Sequence, residues 1–331
     1  MNYSSRFFLY APVGAFFALV LGLAIHWYWA SSQLSARLDA LNGKTIMPGV
    51  TLHFAGKEMG GFPLRLDTIF TGFEISVETD HGPATWKSDG FAVHALTYGR
   101  PQQVFEAAGA QTFSWANAKG EHKTFVFIPG TLHASAIEDA GGLLRFDMDL
   151  VGMSAPAMRA AHIHFHIRLN GDGLDFNAQG DAIQFSGKLV SPFGDTVKNL
   201  RMNGRIDKGT ALDALRGGKA DWRAALENWR GKDGFVDVQP STIDFGKILM
   251  NASGTLALDD ARRFKGLLHL GIVGSMQSVP DFKGAEKSFS AIVLAPSLKP
   301  DGNISLLTTL AFKDGILYAG DSPVTMLDAV Y

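Results

Sequence analysis

The chain contains no cysteine. That removes disulfides, thiolate nucleophiles and cysteine-based metal sites together, and it suits an oxidising compartment, where a stray thiol is a liability. There is no basic run, and the formal net charge is only −2. Nothing therefore favours a nucleic acid as partner. The sequence also lacks G-x-S-x-G, Walker A and H-E-x-x-H motifs, the short patterns that carry common hydrolase, nucleotide and zinc chemistries. Charged residues are 19% of the chain. Against these absences stands a hydrophobic content of 46%, with 24 phenylalanines, which is enough for a packed core and excludes a disordered chain. A length of 331 residues suits one large or two medium β domains.

One long apolar run is present. Phe7 to Ala30 carries no Asp, Glu, Lys or Arg, and His26 is its only weakly ionisable side chain. The run is longer than the roughly 20 residues a helix needs to cross a hydrocarbon core. Trp27, Tyr28 and Trp29 gather at its far end, as an aromatic belt at a lipid–water boundary does. A cleaved signal peptide is the alternative; its apolar core is usually 7–15 residues with a small-residue exit. The longer core and bulky exit favour an uncleaved anchor over residues 1–33. The very short N-terminal tail sets that end inside, with the bulk of the chain in the periplasm on a single-pass inner-membrane anchor.

Beyond the run, Ser31 to Asn42 reads as a short polar helical stalk stopped by Gly43. Strand patterns follow. Leu64 to Phe70 alternates, Thr71-Gly72 reads as a turn, and Phe73 to Glu78 alternates again. Further period-two segments are Thr124–Ile128, Leu144–Val151, His162–Leu169, Gly254–Leu258 and Gly266–Val273, with Gly, Asn and Asp between them, as hairpins require. In Phe146 to Leu150, the two aspartates face one way and the apolar residues the other. One face should meet water and the other a core or groove. The expected fold is mainly β: an antiparallel curved sheet or open barrel-like groove, with one N-terminal transmembrane helix and one internal amphipathic helical region. The expected division is 1–33, a β-rich region 34–207, and a helix plus β-rich region 208–331 continuous with the preceding sheet.

That helical region lies in Thr210 to Arg230, split by Gly217-Gly218. Trp222, Ala225, Leu226 and Trp229 fall on one stripe, with Arg223, Glu227 and Arg230 off it,. The stripe fits a helix capping a sheet. It also fits a lid over an apolar groove, which makes Trp222, Leu226 and Trp229 the candidate ligand-groove residues.

The order of several motifs resembles one bacterial family. It runs from Trp229-Arg230-Gly231-Lys232-Asp233-Gly234-Phe235-Val236 through Ile243-Asp244-Phe245-Gly246 to Gly254-Thr255-Leu256-Ala257-Leu258-Asp259 and Lys265-Gly266-Leu267-Leu268. With Gly60-Gly61-Phe62-Pro63-Leu64-Arg65 before it and Phe312-Lys313-Asp314-Gly315-Ile316 after it, this resembles the domain of unknown function 2125 family. The resemblance implies an alphaproteobacterial envelope protein, similar in style to AsmA-like membrane-anchored β proteins with apolar grooves, a likeness at the level of fold alone. It implies no reaction and carries over no catalytic residue.

Three chemical candidates remain. His162, His164 and His166 occupy alternate strand positions, which puts three imidazoles on one face at ~7 Å spacing. Neutral imidazoles bind zinc or copper, but that spacing is wide for ligands ~2 Å from one ion. The expectation is no metal and no other cofactor. Asn170-Gly171-Asp172-Gly173-Leu174-Asp175 lacks an EF-hand's frame and reads as a hairpin turn. Gly320-Asp321-Ser322 has no histidine after it and reads as structural. Gly60-Gly61-Phe62-Pro63 reads as a tight bend. The expected function is non-catalytic: binding or shielding an apolar, lipid-like ligand in envelope maintenance. The alternative is an envelope scaffold with a fully packed β core and a protein partner; a hydrolase is least supported.

Overall fold

A computed structural model describes residues 4–97, 102–117, 119–187, 193–275 and 303–331. The chain forms two compact units, Met1–Phe125 and Val126–Tyr331. Strands dominate both and every pairing is antiparallel, so the mainly-β expectation holds.

The first unit begins with α1 (Ser4–Leu41), a single 38-residue helix. It is long and apolar enough to cross a membrane. Its apolar side chains, among them Phe16, Phe17, Leu21 and Ile25, are exposed. The stalk is not a separate element. Ser31 to Leu41 contains neither Gly nor Pro, so nothing stops the helix until Asn42 and Gly43, whose φ is +72°. Then follow β1 (Lys44–Met47), β2 (Val50–His53), β3 (Gly56–Gly60), β4 (Arg65–Thr71), β5 (Phe73–Thr79), β6 (Gly82–Leu96) and β7 (Gln102–Ala116). β6 is the spine of this unit. One edge pairs with β5 along Gly82–Ser88 and with β4 along Phe91–Leu96; the other pairs with β7. β4 and β5 therefore lie end to end, and Thr71-Gly72 does not reverse the chain. One residue between strands is too short for a hairpin; Gly72 instead kinks the line at φ +62°. The core is aromatic: Phe73 stacks on Phe91 at 3.9 Å between centroids, and Phe70 meets Phe54 at 5.2 Å.

β8 (His122–Phe127) carries the chain into the second unit. There β9 (Thr131–Asp139), β10 (Gly142–Ala155), β11 (Met158–Asn170), β12 (Gly173–Phe185), β13 (Thr196–Ile206), β14 (Phe235–Asp244), β15 (Ile248–Leu258), β16 (Phe264–Ser275), β17 (Asn303–Lys313), β18 (Ile316–Ala319) and β19 (Ser322–Met326) follow. Each pairs with its neighbour in sequence. Local turn chemistry drives this meander. The β17–β18 hairpin closes on Asp314-Gly315, both at positive φ (55° and 75°), the conformation a tight twisted hairpin needs and that this pair adopts readily. Asn170–Gly173 likewise joins β11 to β12 as a turn, and Ser322 pairs with Ala319 as hairpin backbone.

The helical region interrupts the meander without ending it. A 3-10 turn (Gly209–Leu212), α2 (Asp213–Arg216) and α3 (Trp222–Gly231) lie between β13 and β14, which still pair with each other. Asp221 caps α3 by accepting the Ala224 N–H at 2.9 Å, which satisfies a donor left free at the helix start.

Candidate functional site

Register builds one continuous apolar surface in the second unit. Directly opposed residues of paired strands share a face, so partners can be followed from strand to strand. Phe146 of β10 lies between Ala136 and Ile167, and Ile167 pairs with Phe176. The row continues through Gly204 and Val238 to Gly254, Leu268 and Leu310. It is apolar on nine consecutive strands, β9 to β17. A second row, Met148–Phe165–Ala178–Met202, runs beside it. A third joins Leu150, Ile163, Gly180, Leu200, Ile243 and Met250.

Coverage of this face is uneven. At one end the helical region packs on it, and Leu174, Ala211, Leu212, Ala225, Trp229 and Leu258 form a buried cluster with Ile167, Ile206 and Val236 against it. Towards the other end Ile248, Ile272 and Ile304 are buried, with Phe193 and Phe245 packed on them. Between these clusters Met148, Phe165 and Ala178 are only half-buried, and Met202 is 40% exposed. The face that the alternation of β11 assigns to a core is thus incompletely covered in its middle.

The three candidate groove residues part company at the helical end. Trp229 is 4% exposed, and its indole N–H donates to the Asp207 carbonyl at 2.7 Å. Trp229 and Leu226 line a wholly apolar cavity of about 230 Å³ with Leu212, Val236, Leu256 and Phe264. Trp222 does not reach it. That ring meets Tyr331 edge-on at 6.0 Å and carries the Arg223 guanidinium on its face at 4.7 Å. A second cleft, of about 700 Å³, lies beside the β10–β11 turn and mixes Phe127 and Phe185 with Arg159 and Asp195; that lining suits water as well as hydrocarbon.

Sequence reading missed the latch that holds the cap. Glu227, off the apolar stripe, accepts from Arg230 at 2.6 Å, from the Tyr331 hydroxyl at 2.9 Å and from Arg262 at 3.3 Å. Bonding from Arg230 first, and then from Tyr331, lowers its pKa to about 2. Burial, with the neighbouring Glu227 carboxylate, raises that of Tyr331. The segment before Tyr331 closes over the cap: the Val330 N–H donates to the Arg262 carbonyl at 2.9 Å, and Val330 lines the small cavity. Only the run of charged residues around Asp259–Arg263 hints at this network, and no short pattern links it to Glu227.

The opposite face of the same strands is polar. His162 and His166 lie 2.5 Å and 2.6 Å from Asp149 and Asp147, and Arg145 holds Asp147 from the other side at 2.6 Å. Burial pushes the Asp147 pKa up, but Arg145 and then His166 outweigh it, and the net shift is downward. The His162 and His164 rings are 6.4 Å apart. Among the described residues no three His, Asp or Glu side chains converge as a metal-binding group. The imidazoles belong to a cross-strand polar ladder that keeps this face in water.

A family described as "Uncharacterized protein conserved in bacteria (DUF2125)" matches residues 27–328. No curated protein matches the chain.

Proposed function

The chain belongs to that bacterial family, DUF2125, and with this as premise we propose that it is a non-catalytic, membrane-anchored envelope protein that binds or shields an apolar, lipid-like ligand. The anchor is α1, in the inner membrane, and the strands stand in the periplasm. The ligand lies on the half-buried face of β10–β13. The observation that carries this reading is the row Met148–Phe165–Ala178–Met202, apolar on adjacent strands yet incompletely covered between two buried clusters. A sheet face with that composition is normally closed by a helix, a second sheet or a ligand. Four strands at ~4.8 Å spacing make the half-covered row roughly 14 Å across, close to the ~15 Å depth of one leaflet's hydrocarbon.

The test is titration of the detergent-solubilised full-length protein with a fluorescent fatty acid. Wild type is expected to bind saturably, and Met202→Asp, which places a carboxylate in the partly exposed middle row, to weaken binding at least tenfold with the fold intact by circular dichroism. Arg168→Ala, on the polar face, is expected to bind like wild type. Absence of saturable binding by wild type leaves the scaffold reading in place.

A further inference from the structure

The first unit grips α1 at two levels. At the upper one, Asn42 and Phe54 exchange hydrogen bonds through the Asn42 side-chain amide, both at 2.9 Å, and Lys57 pairs with Asp39. At the lower one, Trp27 leaves the aromatic trio to pack inward: it is 9% exposed, against 71% for Tyr28 and 63% for Trp29. Its indole N–H donates to the Arg65 carbonyl at 2.6 Å, and its ring meets Phe62 edge-on at 5.7 Å between centroids. Fifteen residues separate Trp27 from Asn42, roughly 22 Å of helix at 1.5 Å per residue. The polar half of α1 is therefore splinted to the first unit, and the lower clasp falls where the apolar run ends.

The bend that makes this clasp turns apolar side chains outward. Gly61 sits at φ +90°, and a Cβ there would stand 2.7 Å from the Arg65 carbonyl oxygen, so the bend depends on glycine. Past it, Phe62 is 54% and Leu64 42% exposed, and Leu96, paired with Arg65 at the end of β6, is 47% exposed. These side chains stand beside a helix whose own belt residues mark a lipid–water boundary. The layer between hydrocarbon and bulk water is roughly 6 Å deep on each side of a bilayer. Phe62 touches Trp27, so the two rings cannot differ in depth by more than the 5.7 Å between their centroids.

We propose that Phe62 and Leu64 are seated in the interfacial layer of the bilayer that α1 crosses, as a second lipid contact of the first unit beside the helix. The inference rests on α1 being the membrane span, and the occupant is a phospholipid surface rather than a protein segment. The exposed belt residues Tyr28 and Trp29 and the exposed Phe62 stand at one level along α1, and a bilayer surrounds a helix on all sides at such a level. The clasp then acts as a collar that fixes how the first unit stands on the membrane. The far end of β6, at the turn before Gly82, lies roughly 45 Å along the strand from Leu96.

The absence of cysteine allows a direct test with the full chain. Single cysteines at positions 20, 28, 62, 64 and 81 are labelled with a nitroxide in phospholipid nanodiscs, and collision rates with oxygen and with a water-soluble nickel chelate are compared. Labels at 62 and 64 are expected to match the one at 28, with oxygen-to-nickel ratios several-fold above that at 81. Labelling at 64 keeps the result readable if Phe62→Cys loosens the Trp27 contact. If 62 and 64 read like 81 while 20 and 28 read as lipid, the collar is refuted and the span stands. If 62 and 64 are shielded from both reagents, a protein surface covers the loop and the proposal is wrong. If 20 and 28 also read as water, α1 is not a span and both readings fall together.

Discussion

Replacing Trp229 by alanine tests whether the helical region is a permanent cap. The ring is 4% exposed and belongs to the buried cluster of Leu174, Leu212, Ala225 and Leu258. It lies so close to Gly234 that a Cβ added there would meet the indole at 2.3 Å. An indole buries roughly 200 Å², worth about 5 kcal/mol at 25 cal/mol per Å². Large-to-alanine changes of buried aromatics cost about 3–5 kcal/mol once partial collapse is allowed. The Asp207 carbonyl also loses its donor at 2.7 Å, which adds about 1 kcal/mol. The expected loss is therefore about 5 kcal/mol. Trp229→Phe keeps most of the volume and loses the N–H, for about 1–2 kcal/mol. Full-length protein in detergent is unfolded with guanidinium, with hydrogen exchange read over 205–236 so that the second unit is followed by itself. A loss below about 1 kcal/mol for the alanine variant would refute the permanent cap and identify α3 as a loosely held lid.

The latch predicts a pH dependence. The Glu227 pKa is lowered from 4.5 to about 2, so its contribution is complete above the unfolded-state value and is lost as pH falls through the folded one. Hydrogen-exchange protection of 222–231 and 327–331 should decline between pH 4.5 and 2 in wild type and should already be low, and flat across that window, in Glu227→Gln; identical profiles would disprove the latch. For the histidines, elemental analysis of untagged protein should find less than stoichiometric zinc, copper or nickel. A stoichiometric metal lost when His162, His164 and His166 are all alanine would overturn the polar-ladder account. The anchor should keep full-length protein in the pellet after carbonate washing. Protease added to spheroplasts should digest the strands, whereas intact protection of the bulk would reverse the orientation.

What was legible in the sequence is what local physics decides. The apolar run Phe7–Ala30 is compositional, the alternation of Phe146 to Leu150 and His162 to Leu169 is period two, and Asn170–Gly173 is turn chemistry; each stands in the structure as an element of the expected kind. Continuity between the run and the stalk was missed because the change from apolar to polar residues at Ser31 looks like a boundary, although no helix breaker is present. The row from Ala136 to Leu310 is set by register over nine strands, which no window of sequence contains. The middle of that face looked buried because alternation says which residues share a face and not how much covers them. Glu227, off the apolar stripe, looked solvent-facing because its partners Arg262 and Tyr331 lie 35 and 104 residues away. Trp27 was read with Tyr28 and Trp29 as one belt, and its inward turn depends on an Arg65 carbonyl 38 residues on.

The central claim is that the half-buried face of β10–β13 holds an apolar ligand. Native mass spectrometry of the full-length protein, released from detergent, tests it most directly when wild type is compared with a Phe165→Asp, Met202→Asp double variant. Lipid held only around α1 would be the same in both. The account predicts a retained lipid mass in wild type that the double variant loses. A bare polypeptide mass in wild type, or equal lipid retention in the two proteins, would contradict it.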